Sequence, residues 1–135
     1  MDKEFVTYKQ ALDLKELGFD EPCIKWYTAM GNFVWSGKGN QPDWSQYVCS
    51  APLKSQVFKW FREKYNLYST INLHDGCNSK SWRFHIYRND ELVYNQNINT
   101  KPYYETYEAA ESACIDKLIE LVKQKQNENN STQTA

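Results

Sequence analysis

The stretch Tyr104-Glu105-Thr106-Tyr107-Glu108-Ala109-Ala110-Glu111 opens the last amphipathic segment of the chain, and this segment decides the fold class. Thr106 has the side chain of a helix N-cap, which predicts a helix that ends near Lys125. Its first half carries small residues that allow close approach to a sheet, and its second half carries larger apolar ones: Ala109, Ala110, Ala113 and Cys114, then Ile115, Leu118, Ile119, Leu121 and Val122. Residues 126–135 are mainly Asn, Gln, Ser and Thr with no apolar anchor, which predicts a disordered polar tail.

Two further helices are predicted upstream. Thr7 and Gln10 form a capping box, and Gly18 followed by Phe19 has the pattern of a Schellman ending. Ser50-Ala51-Pro52 opens the second helix, because proline is tolerated in a first turn. Its apolar stripe consists of Leu53, Val57, Trp60, Phe61 and Tyr65.

The remaining segments alternate as β-strands do. The clearest is residues 81–88, where Trp82, Phe84 and Ile86 occupy one face while Arg83, His85 and Tyr87 occupy the other. Strands are also expected over residues 23–30, 33–36, 44–49, 68–73 and 92–98, with a turn-rich loop over residues 74–80. The order is α-β-β-(β)-α-β-β-β-α. We therefore predict an α+β fold in which three helices pack on one mainly antiparallel sheet of about five or six strands.

Length and composition limit the class of protein. The chain has 135 residues, of which 41% are hydrophobic and 16% aromatic. That size predicts a single domain, here over residues 1–125, and the aromatic content argues against disorder. No apolar run approaches the roughly 18 residues of a membrane span, and the charged start Met1-Asp2-Lys3-Glu4 lacks a signal core. A cytoplasmic protein without a membrane partner is expected.

Three stretches resemble a group of small uncharacterised phage and prophage proteins, similar in layout to phage ABA sandwich domains. They are Glu4-Phe5-Val6-Thr7-Tyr8 through Leu17-Gly18-Phe19-Asp20-Glu21-Pro22, Ala51-Pro52-Leu53 through Phe58-Lys59-Trp60-Phe61-Arg62-Glu63-Lys64-Tyr65, and Tyr104 through Glu111 with Leu118-Ile119. All three are packing and capping motifs, so the resemblance implies a fold and a bacterial host cell, and it brings no catalytic residues.

Catalytic and metal-binding patterns are weak in this sequence. His74 and Cys77 form half of a zinc-site spacing, but a second close pair of ligands is missing. We interpret them as part of a turn, and we expect neither a metal nor another cofactor. The four cysteines, at positions 23, 49, 77 and 114, include no CxxC pair, and we expect reduced thiols. No residue set satisfies the requirements of an enzyme, so a non-enzymatic protein is expected.

Two kinds of binding remain. Trp35 and Trp44 flank a Gly- and Pro-containing loop, where they are candidate anchors for a protein partner or for another copy of the chain. This is the favoured interpretation. The alternative is nucleic-acid binding by residues 50–88, which hold seven Lys or Arg against two Asp or Glu. Its candidate phosphate contacts are Lys54, Lys59, Arg62, Arg83 and Arg88. This segment also follows the α-β-β-β-α order of a double-stranded-RNA-binding domain, but with an acidic third helix.

Overall fold

The computed structural model describes residues 2–35, 47–76, 79–95 and 104–133. A short 3-10 turn over Asp2–Glu4 precedes nine regular elements: α1 (Tyr8–Glu16), β1 (Lys25–Thr28), β2 (Phe33–Trp35), β3 (Tyr47–Ser50), α2 (Lys54–Tyr65), β4 (Leu67–Gly76), β5 (Ser79–Arg88), β6 (Glu91–Asn95) and α3 (Tyr107–Gln133). All pairings between these strands are antiparallel. The predicted α+β class with three helices is confirmed.

The chain divides into two compact units, Met1–Val57 and Phe58–Ala135. In the first unit, both ends of α1 have the geometry that the sequence predicted. The Gln10 amide donates to Thr7 Oγ1 at 3.2 Å, and the Thr7 amide donates to Gln10 Oε1 at 2.9 Å. At the other end Gly18 has a φ of 94°, and the Phe19 amide donates to the Leu14 carbonyl at 2.9 Å. Helix α1 is therefore bounded by local chemistry at each end.

The first unit also contains a three-stranded sheet in the order β2-β1-β3. Its buried side chains include Tyr27, whose hydroxyl donates to the Val6 carbonyl at 2.7 Å. Helix α1 lies against β3, where Lys15 Nζ donates to the Val48 carbonyl at 2.7 Å. The lysine side chain thus satisfies a strand carbonyl and ties the helix to the strand.

Helix α2 buries the middle of the predicted stripe, whereas Leu53, which precedes the helix, and Tyr65 at its end are partly exposed. Val57, Trp60 and Phe61 are each no more than 6% exposed. The helix ends at Tyr65. Asn66 follows it with a left-handed φ of 57°, a conformation that asparagine tolerates better than most residues. Strand β4 starts at the next residue, so no separate loop joins this helix to the second sheet.

The second unit contains the sheet β4-β5-β6 with helix α3 packed on it. The six buried positions of α3 recur at three- and four-residue intervals: Ala110, Cys114, Ile115, Leu118, Ile119 and Val122. Thr106 Oγ1 accepts from the Ala109 amide at 3.1 Å, as expected for the N-cap. Phe84 and Ile86 of β5 are 2% and 0% exposed, so this face of the sheet forms a core with α3.

Four features differ from the sequence-based expectations. Helix α2 begins at Lys54 and not at Ser50-Ala51-Pro52, because Ser50 ends β3 and the Ala51 amide donates to the Lys25 carbonyl at 2.8 Å. The described strands form two three-stranded sheets where one sheet was expected, because each strand pairs with strands on its own side of α2. The loop expected over residues 74–80 is mostly strand, with Asp75 opposite Lys80 and Gly76 opposite Ser79. Helix α3 continues to Gln133 where a disordered tail was predicted. Extending an existing helix costs far less than nucleating one, and Gln, Lys and Glu favour helix. The single domain expected over residues 1–125 stays a prediction.

Candidate binding surface

The sheet of the second unit has two faces of opposite character. Successive strand residues point to opposite sides, and residues paired directly across an antiparallel ladder share a side. The register places Ile71 opposite Phe84 on the side that α3 covers, whereas Tyr68 lies opposite Tyr87 on the other side. We call the second side the open face. The seven residues of this face compared below are Tyr68, Thr70, Asn72, Arg83, His85, Tyr87 and Leu92, and the register extends the same side to Ser81, opposite His74, and to Asn95, opposite His85.

A row of apolar and aromatic side chains crosses all three strands of the open face. Tyr87 on the central strand lies opposite both Tyr68 on β4 and Leu92 on β6. Tyr68 is 47% exposed and Leu92 is 48% exposed, so a large part of this row contacts solvent. Tyrosine suits such a position because its ring is apolar and its hydroxyl stays hydrated.

A β-bulge brings Leu92 into this row. The register between β5 and β6 shifts between Ile86 and Tyr87, so that Ile86 pairs with Tyr94 while Tyr87 pairs with Leu92. The extra residue reverses the alternation along β6. Tyr94 therefore stacks on Phe84 on the buried side, at 5.2 Å between ring centroids, although Leu92 lies on the open face. The bulge thus allows Leu92 and Tyr94, which are two residues apart on one strand, to lie on opposite faces of the sheet.

Hydrogen bonds order the polar centre of the open face. The Asn72 side-chain nitrogen lies 3.0 Å from His85 Nδ1 and 3.3 Å from Thr70 Oγ1. An amide nitrogen donates, so Nδ1 accepts and the N–H of a neutral His85 ring is on Nε2. The His85 ring lies beside that of Tyr87, with centroids 6.4 Å apart. These contacts leave fewer side-chain conformations to be lost on binding a ligand.

An open cleft of about 570 Å³ lies at one end of the tyrosine row. It is lined by Asn66, Tyr68, Tyr87, Asn89 and Asp90. Asn89 and Asp90 form the two-residue turn between β5 and β6 with φ values of 50° and 66°, as in the mirror-image turns that favour hairpins. The side-chain nitrogen of Asn66 donates a hydrogen bond to Asn89 Oδ1 across the cleft. The cleft thus combines two rings with polar groups on fixed backbone.

The basic residues proposed for nucleic-acid binding do not form one surface. Lys54 is in the first unit and is 5% exposed, so its placement does not fit a phosphate contact. Lys59 forms an ion pair with Glu63 at 3.9 Å, with both side chains about two-thirds exposed. Arg62 is exposed on α2, and Arg83 lies on the open face. Arg88 faces the opposite way and lines a smaller cleft of about 250 Å³ with Lys64 and Lys125.

The three described cysteines, Cys23, Cys49 and Cys114, are free thiols. Burial raises the pKa of each, and that of Cys114 reaches about 12. A thiol is nucleophilic as its thiolate, and at neutral pH these side chains are protonated. Within the described ranges, no group of three or more His, Cys, Asp or Glu is arranged to hold a metal ion.

The other candidate residues lie at or beyond the limits of the described chain. Trp35 ends β2, with its backbone in register with Lys25, and Trp44 is outside the described residues. His74 is part of β4 in the backbone register, opposite Ser81, and Cys77 is outside the described residues. The binding role of both tryptophans stays a prediction. The turn interpretation is wrong for His74, because this residue continues the pairing of β4 with β5.

The sequence contained part of the signal for the open face. The alternation of residues 81–88 placed Arg83, His85 and Tyr87 on one side, as the structure confirms. Tyr68 and Leu92 were missed as surface residues. Their placement depends on the register between strands and on the bulge, which are not local properties. The alternation of Tyr68, Thr70 and Asn72 against Leu67, Ser69 and Ile71 was the available signal.

Comparison with known proteins adds no relative. No family model, curated protein or solved structure matches the chain. The phage and prophage resemblance therefore stays a prediction. Among the helices of the described residues, none has the length and apolar character needed to cross a membrane.

Proposed function

We propose that the chain is a non-enzymatic protein-binding module, and that the open face of its second sheet binds the partner. The observation that carries this proposal is the row of Tyr68, Tyr87 and Leu92 across three strands, in which Tyr68 and Leu92 are about half exposed and Tyr87 is partly buried between them. Side chains of this kind are expensive to leave in water, since burying one stabilises a complex by about 1.5–3 kcal/mol. A partner that covers the row removes this apolar surface from solvent.

The composition of the open face favours a protein over a nucleic acid. Interface cores are enriched in Tyr and Arg and depleted in Lys, Glu and Asp. The seven compared residues of the open face include two Tyr and one Arg, and none of them is Lys, Glu or Asp. A single-stranded nucleic acid would find rings for stacking, but it also requires a basic groove along its backbone. One arginine among seven residues does not supply such a groove.

The biological setting belongs to the same proposal. A phage or prophage accessory protein that acts in the cytoplasm of a bacterial host would work by contact with a host or phage protein. This setting is supported by the three packing motifs described from the sequence. The proposed surface does not depend on it.

A matched pair of tyrosine variants tests the proposed function. Tyr68 on the open face and Tyr107 on α3 are similarly exposed, at 47% and 41%. The full-length chain is immobilised and incubated with bacterial host extract, and retained proteins are quantified by mass spectrometry. We expect Tyr68→Ala to reduce a defined set of retained proteins by about 30-fold, the effect of a 2 kcal/mol interface residue. Tyr107→Ala should leave that set unchanged.

The same experiment can contradict the proposal. If Tyr68→Ala and Tyr107→Ala retain the same proteins in the same amounts, the open face is not a binding surface. If the retained material is nucleic acid that is lost between low and high salt, the module binds a polyanion instead of a protein. Circular dichroism of both variants confirms that the comparison is made between folded proteins.

A further inference from the structure

Strand β4 forms a long edge of the second sheet. In the order β4-β5-β6, β4 pairs with β5 on one side, and no described strand pairs with its other side. The pairing with β5 is continuous from Leu67 opposite Arg88 to Gly76 opposite Ser79, without a register shift. The edge is therefore free of β-bulges over ten residues, which is long for a strand that pairs on one side.

This edge lacks the features that usually prevent edge-to-edge pairing. Proteins protect edge strands with lysine, proline, bulges or short length. β4 has the sequence LYSTINLHDG, in which Asp75 is the one acidic or basic residue apart from His74. The other edge strand of this sheet, β6, has five residues, begins with Glu91 and contains the bulge. Within the described residues, β6 thus has these protective features and β4 does not.

The side chains along β4 are compatible with a neighbouring strand. Thr70 and Asn72 are exposed, as are Tyr68 and Leu73, each at 47%. No two like charges would meet if a second β4 lay alongside between Leu67 and Leu73, because this part of the strand is uncharged. A second β4 would therefore meet no charge repulsion over this part of the strand, and hydroxyl and amide side chains form favourable cross-strand pairs.

We propose that β4 pairs in antiparallel fashion with β4 of a second copy of the chain, which joins two sheets into one of six strands. A two-fold axis perpendicular to the sheet relates the copies, so both open faces lie on the same side. Residues opposite each other must then share a face. A register centred on Thr70 places Thr70 opposite itself, and one centred on Ile71 places Thr70 opposite Asn72. This inference rests on the proposed function, because it makes another copy of the chain a protein partner of this sheet.

Charge-swapped variants of full-length protein test the pairing. In Thr70→Lys/Asn72→Lys, lysines oppose lysines in either register, and in Thr70→Glu/Asn72→Glu, glutamates oppose glutamates. Sedimentation equilibrium should show the unsubstituted chain at twice its mass of 16.0 kDa and each variant alone as a monomer. An equimolar mixture of the two variants should recover the dimer, because lysines then oppose glutamates. General destabilisation by the substitutions would not produce this recovery.

Hydrogen exchange identifies the surface that pairs. Backbone amides of β4 should become more protected as the concentration of the unsubstituted chain rises, and amides of β6 should not. A monomer at 100 μM, or a dimer that both variants retain, would overturn the pairing. Retention of extract proteins by the unsubstituted chain and by Tyr68→Ala, both of which keep Thr70 and Asn72, separates the two proposals. If retention still depends on Tyr68 while the unsubstituted chain is a monomer, the edge inference fails and the proposed function stands.

Discussion

The two faces of the second sheet are made by the same strands, yet one face is buried and the other is largely exposed. On the side of α3, Phe84, Ile86, Ile115 and Leu118 are at most 2% exposed, whereas Tyr68 and Leu92 on the open face are 47% and 48% exposed. One face holds the unit together, and the other presents ordered side chains to solvent. The comparison teaches that side-chain alternation, adjusted by the bulge on β6, lets one three-stranded sheet bury a core on one face and expose an apolar row on the other.

The largest expected effect is a loss of stability when a side chain is removed from the buried face. Phe84→Ala removes a ring that is 2% exposed and stacks on Tyr94, so we expect a loss of about 3–5 kcal/mol in the free energy of unfolding. Tyr87→Ala, directly across from Tyr68, is the control, with an expected loss of about 1 kcal/mol. Urea denaturation followed by circular dichroism measures both. Equal losses would show that the two faces do not differ in their contribution to stability.

A second prediction uses the buried thiol of α3. Burial raises the pKa of Cys114 to about 12, above the value of about 8.5 for an unfolded cysteine. The native state therefore holds a proton that the unfolded state releases. The stabilisation is complete below about pH 8.5 and is lost as the pH rises towards 12, with a slope of at most about 1.4 kcal/mol per pH unit.

Urea titrations from pH 7 to pH 10.5 measure this slope, and Cys114→Ala isolates it from the tyrosines that titrate in the same range. The variant is expected to be less stable at pH 7 because it leaves a small cavity. Its stability should fall less steeply above pH 8.5 than that of the unsubstituted chain. Parallel curves for the two proteins would show that Cys114 titrates equally in the folded and unfolded states.

The smallest expected effect is a gain of stability at the hairpin turn beside the open face. Asp90 has a φ of 66°, a conformation that glycine adopts without steric cost. Asp90→Gly also creates Asn-Gly, the preferred sequence for this type of hairpin turn. We expect a gain of about 0.5–1 kcal/mol in the urea-derived free energy of unfolding. Asp90→Ala is the matched control and should give no gain, because its side chain retains the strain of the left-handed conformation.

Sequence reasoning predicted what depends on neighbours along the chain. The capping box at Thr7 and Gln10, the left-handed Gly18, and the buried positions Val57, Trp60 and Phe61 of α2 were all available from spacing, and the structure confirms them. These features arise from hydrogen bonds and contacts within about four residues.

Features that depend on pairing between distant segments were not predicted. Nothing in the alternation of a strand states which strand it pairs with, so the two sheets and the bulge at Ile86 and Tyr87 required the structure. The surface proposed from the structure differs from the surface predicted from the sequence for the same reason. Its arginine and one tyrosine had been placed on a common face, but Tyr68 and Leu92 join them through cross-strand register.

The sequential order β4-β5-β6 has a consequence for synthesis on the ribosome. Each strand of this sheet pairs with the strand next to it in sequence, so the hairpins close short loops and can form rapidly. Helix α3 follows all three strands in the chain. Until it emerges, a sheet that has already formed leaves Phe84 and Ile86 uncovered by this helix. We therefore expect the yield of folded protein to depend on translation speed and chaperone access while residues 96–133 are synthesised.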